Sequence, residues 1–146
     1  MSSKWTLDVV AMQEDFFADT SFVGLASSLP LYKLCWLINR LFDIQFTRDP
    51  DLDICSQITK DQQQFFPIYT HTAPLSGTSH HLYTLKLNNY SLLPEIRQLD
   101  YLWTIQSTSF EADALSVSQS LRNVPEIQLA QILYPDKLKN LSYLIL

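Results

Sequence analysis

The chain has 146 residues, a net charge of −5, 47% hydrophobic and 17% charged residues, and ten Lys and Arg that never adjoin one another. That composition is too apolar for a disordered chain, and scattered cations exclude the concentrated basic face that nucleic acid or anionic membrane surfaces require. At this length a single α+β domain spanning 1–146 is expected, able to bury roughly two thirds of its unfolded surface without disulfide or metal.

The opening Met1 to Asp8 lacks the basic and apolar regions of a signal peptide, and no stretch reaches the ~18 apolar residues of a membrane span. A cytoplasmic protein without membrane contact is expected, with Cys35 and Cys55 as reduced thiols. Only Gly24 and Gly77 are glycines, so glycine-rich phosphate loops and dinucleotide turns are absent.

In chain order, Trp5, Leu7 and Val9 alternate with polar residues over 4–12 and predict a first strand. Residues 21–26 predict a second. Leu31, Leu34, Cys35, Ile38, Leu41 and Phe42 recur at helical spacing behind Pro30 and predict a helix over 30–42, with Leu34, Ile38 and Leu41 buried. Trp36 and Leu37 beside that stripe predict a wide, deeply packed face. Residues 44–48 alternate again before the Asp49-Pro50 turn signal, and the polar stretch 51–64, with Gln62 to Gln64, reads as the main flexible connection.

Three strand-like runs follow at 65–72, 81–88 and 99–106, with turn signals at 74–79 and 88–90. They predict an antiparallel meander, whose first strand lies at an edge or carries a bulge because Pro67 cannot donate a ladder hydrogen bond. Thr108 to Glu111 matches a capping box, and Phe110, Ala114, Val117 and Leu121 then recur at helical spacing to about Asn123. A last strand is expected over 127–133, one helical turn over 136–141, and an apolar end over 141–146. The fold class is therefore α+β: a two-layer, mostly antiparallel sheet of about five or six strands with two helices on one face.

No catalytic constellation is legible. Asp49, Asp51 and Asp53 begin like a calcium loop, but Ile54 stands where glycine is needed and Lys60 where a bidentate carboxylate is needed. His71, His80 and His81 flank one hairpin turn; adjacent strand residues point to opposite faces, so His80 and His81 do not share a metal. Cys35 lies on an apolar stripe and Cys55 has no cation nearer than Lys60, so neither has the electropositive surroundings of a nucleophile. No catalytic residue, metal or cofactor is assigned. Tyr69, His71, His81 and Tyr83, around the same hairpin, are the candidate ligand pocket.

The segment Leu93-Pro94-Glu95-Ile96-Arg97-Gln98-Leu99-Asp100-Tyr101 leads through a proline turn into an aromatic strand. It resembles the signature of the IPExxVD family, a bacterial domain of unknown function, with one residue too many. Val124-Pro125-Glu126-Ile127-Gln128-Leu129-Ala130 has the signature's spacing but ends in Ala. The helix around Leu31 to Asn39 and the segment Pro135 to Asn140 are similar to the family as well. The resemblance implies no activity. Pro94, Glu95 and Asp100 are read as a structural motif in which proline fixes a turn and a carboxylate bonds turn amides.

Two functional readings stay open. One is a non-enzymatic interaction or scaffold module whose partner is an unknown protein or a second copy. The alternative is a small-ligand-binding protein or uncharacterised enzyme with the aromatic and histidine-lined pocket.

Overall fold

Along Thr20–Ala26, β1, the buried residues Val23 and Leu25 fall on one side and the buried Phe22 on the other. A strand apolar on both faces belongs inside a sheet covered on both sides. In the computed structural model, which describes residues 11–12, 14–135, 138 and 141–145, β1 indeed lies second in a six-stranded sheet. The other strands are β2 (Thr47–Arg48), β5 (Ile68–Thr72), β6 (Ser79–Thr84), β9 (Tyr101–Gln106) and β10 (Leu129–Leu133), in spatial order β10-β1-β9-β6-β5-β2. Every pairing is antiparallel.

Two helices, α1 (Leu31–Phe42) and α2 (Phe110–Arg122), cover one face. Leu34, Cys35 and Ile38 of α1 and Ala114, Val117 and Leu121 of α2 pack with Val23, Leu25, Leu82, Trp103 and Ile105 of the sheet. The fold is thus α+β with a mostly antiparallel sheet. The opposite face is also covered, by short irregular pieces. There Phe22, Ile68, Tyr83 and Leu102 meet Ile54, Phe66, Leu93, Ile96, Leu141 and Leu144 in a second apolar cluster.

Several local expectations are corrected. Residues 51–64 hold a short 3-10 turn (Pro50–Leu52) and most of a hairpin, β3 (Ile54–Thr59) with β4 (Gln62–Phe66). The hairpin is anchored by Ile54 and Phe66, two apolar residues that a polar, glutamine-rich stretch conceals. The strand expected over 44–48 contracts to Thr47–Arg48, and the run 65–72 divides at Pro67. Phe66 and Ile68, two apart, both face the second cluster, and the Pro67 carbonyl accepts the Thr84 amide at 3.1 Å.

Leu41 is 47% exposed rather than buried, because it falls past the edge of the stripe that Leu34, Cys35 and Ile38 present to the sheet. Trp36 is exposed as well. The capping box does not form. The Ser109 hydroxyl at the α2 N-terminus makes no cap bond to the backbone; it and Ser107 donate to Asp113 Oδ2 at 3.1 and 2.6 Å. The strand expected over 4–12 and the turn over 136–141 fall largely outside the described residues.

Asn88 and Asn89 join β7 (Lys86–Leu87) to β8 (Tyr90–Ser91) with φ of 50° and 70°, the left-handed pair that a tight two-residue hairpin turn requires. Gly24 is demanded by space instead. A Cβ at this position would collide with the side chain of Leu99 and crowd Leu133.

Candidate functional site

Strand alternation decides which of the histidine-hairpin residues meet. The β5–β6 register places Ile68 opposite Tyr83, Tyr69 opposite Leu82, Thr70 opposite His81 and His71 opposite His80. Tyr69 packs on the helix-side cluster, the face shared with His71 and His80, whereas Tyr83 belongs to the cluster beneath the sheet, the face shared with His81. The expected pocket of Tyr69, His71, His81 and Tyr83 is therefore split between two faces. His81 lines a shallow depression with Phe16, Phe17 and Gln106. The Tyr83 hydroxyl, 1% exposed as part of its side chain, donates to the Leu144 carbonyl at 2.8 Å.

On the helix side the hairpin builds a different site. The Trp103 indole N–H donates to His80 Nδ1 at 3.1 Å. An indole nitrogen can only donate, so His80 must hold its proton on Nε2 and stay neutral to keep this bond. The His71 ring lies 5.7 Å from the His80 ring, centre to centre. Phe42 and Phe46 meet Trp103 edge to face at 5.3 and 5.4 Å, a favoured aromatic geometry. Between this wall and α2 is an open depression of about 280 Å³, lined by Phe42, His80, Trp103, Ile105, Asp113 and Val117 among others. Among the described residues no three His, Cys, Asp or Glu side chains gather closely enough to hold a metal ion. Cys35 is buried, which pushes its thiol up to about 12.

Burial lowers His80 from its ordinary 6.5 to about 4; His71 and His81 push the same way and Asp113 opposes them. Between those two values the unfolded chain takes up a proton that the folded chain refuses. Stability that is complete above pH 6.5 is consequently lost as pH falls toward 4. A series of melting curves across this interval is expected to show the decline, and His80→Gln, which keeps an acceptor for Trp103, a shallower one. An equal slope in the variant would clear His80 of this role.

The second site is a surface groove on α1. Tyr32 and Trp36, one helical turn apart, are 63% and 62% exposed. With Leu29, Lys33, Leu37 and Glu126 they form a groove of about 480 Å³. The Arg40 guanidinium stands over the Trp36 ring at 4.6 Å, holding the indole by a cation–π contact.

The ground under this groove is rigidly tied. Asp100 Oδ2 accepts the Ser27 amide at 2.9 Å, and the Ser27 hydroxyl donates to the Glu126 carbonyl at 2.7 Å. Tyr101 donates its hydroxyl to the Leu29 carbonyl at 2.6 Å. Lys86 approaches the other Asp100 oxygen at 3.5 Å. Pro94 opens a 3-10 turn, Pro94–Ile96, that carries Glu95 and buries Ile96. The segments 93–101 and 124–130, separate in sequence, thus meet at one corner, where β1 hands over to α1. Nothing in either segment alone points to this meeting.

No family model and no curated protein matches the chain. The geometry of the two sites is accordingly the basis for a functional reading. No helix among the described residues is long and apolar enough to cross a membrane.

Proposed function

We propose that this chain is a non-enzymatic protein-interaction module whose docking face is the α1 groove. The observation that carries the reading is the pair Tyr32 and Trp36, side by side and more than half exposed on a helix whose other face is core. Trp and Tyr dominate the energetics of protein interfaces, and contiguous exposed aromatic surface is uncommon without a partner. Lys33 and Arg40 flank the aromatic pair and Glu126 lines the groove beside them, so the partner suited to it is a segment with apolar anchors and charged flanks of both signs. Membership of the IPExxVD family is part of the same proposal. Both segments that resemble its signature bond to the Ser27 corner and so set where α1 begins.

A photo-cross-linking residue at position 36, in the full chain expressed in its own cells, tests the reading. One discrete protein adduct is expected, and Tyr32→Ser is expected to abolish it. The same residue at the exposed position 119 on α2 should give none. Absence of an adduct from position 36, or identical adducts from both positions, would overturn the proposal.

A further inference from the structure

We propose that the open depression between the β6–β9 surface and α2 binds a small primary ammonium compound with an apolar or aromatic body. This site is separate from the α1 groove and does not depend on it. Its lining mixes apolar side chains, among them Phe42 and Val117, with hydroxyl-bearing ones over a floor of the buried Trp103 and Ile105, and Asp113 contributes the only carboxylate. No Lys or Arg lines it, and among the described residues Asp113 makes no ion pair. His80 alongside is held neutral by its bond from Trp103 and supplies no compensating charge.

Asp113 does have neighbours. Both serine hydroxyls converge on a single oxygen, Oδ2, and its position in the first turn of α2 suits a negative charge. These contacts fix the carboxylate without neutralising it, and Oδ1 has no hydrogen-bond partner among the described residues. A fixed carboxylate with no cation beside it selects a cation, and the half-buried Phe42 ring nearby suits one too. The hydroxyls of Ser76, Thr78 and Ser116, also on the lining, can accept the remaining ammonium protons. At about 280 Å³ the open depression falls just below the size of ordinary ligand pockets, which run from roughly 300 to 1,000 Å³. A compound of one ring and a short amine arm is of matching size, whereas a nucleotide is too large and carries the wrong charge.

The test is titration of the full-length isotopically labelled protein, followed at the Trp103 indole N–H resonance. Three probes of similar shape are used: 2-phenylethylammonium, neutral 2-phenylethanol and anionic 3-phenylpropionate. The ammonium probe is expected to move the resonance saturably and to bind tighter than the alcohol by roughly tenfold or more, as a charge-assisted hydrogen bond does. The anion should leave the resonance in place. Asp113→Asn keeps an acceptor for the two serines and is expected to remove the preference for the ammonium probe while leaving the alcohol unchanged. Should that variant not fold, Ser116→Trp, at an exposed position on the rim of the depression, is expected to abolish binding of both probes in a folded chain. Absence of a saturable shift, equal affinity for ammonium and alcohol, a preference that survives Asp113→Asn, or binding that survives Ser116→Trp would each overturn the proposal.

Discussion

Trp103→Ala is expected to lower the unfolding free energy by about 3 to 5 kcal/mol, the range for truncating a fully buried large aromatic. Trp103 is 0% exposed and sits on β9, a strand paired on both sides. Its ring meets those of Phe42 from α1 and of Phe46 from the segment that follows it, both at steep angles. The substitution therefore opens a void where helix, connection and sheet meet, and orphans the His80 acceptor. Trp103→Phe retains most of the ring and should cost less. Urea unfolding followed by circular dichroism measures both. An alanine variant within about 0.5 kcal/mol of the parent, a typical surface cost, would mean that this ring is not central to the core.

A comparable loss, about 2 to 5 kcal/mol, is expected for Leu34→Ala. Leu34 is fully buried between α1 and the sheet, together with Cys35 and Ile38. Leu41→Ala supplies the internal comparison. Two turns further along the same helix, but 47% exposed, it should change stability by only about 0.5 kcal/mol, as surface substitutions do. Equal losses at the two positions would mean that the helix is rotated from the orientation described.

These two leucines also mark how far the sequence could be read. Helical spacing at 31–42 and 110–122 is a local property, and both helices lie where it places them. The same holds for the Asn88-Asn89 turn, where adjacent residues must share a left-handed backbone. Leu41 and Trp36 show the boundary. Periodicity says which residues share a stripe, whereas the width of that stripe is set by how much sheet lies beneath it. The hairpin of β3 and β4 was hidden because two apolar residues, Ile54 and Phe66, anchor an otherwise polar stretch.

The candidate sites were less accessible still. Alternation within β6 separates His80 from His81 on sight. Only the cross-strand register brings His71 to His80 and leaves Tyr83 on the far face. Asp113 reads as an ordinary acidic residue in a first helical turn; its place beside the depression over Trp103 depends on α2 crossing β9. Tyr32 was inconspicuous at an ordinary helical position. Its exposure beside Trp36, and the bracing of that corner by Asp100 and Glu126, depend on contacts across roughly half the chain or more.

The place of β1 in the sheet has a consequence for how the chain is made. Leu25 pairs with Tyr101 on one side and Phe22 with Leu133 on the other, so a strand made well before either neighbour must wait for both. During that wait its two edges and both apolar faces are open, the condition under which nascent strands associate wrongly. Closing such distant pairs is also slow, because the entropy of the intervening loop must be lost before the contacts form. The hairpin of β5 and β6 is available sooner and needs only a short loop. Assembly that starts there, adds β9 and recruits β1 from behind would leave β10 as the last strand to close the sheet.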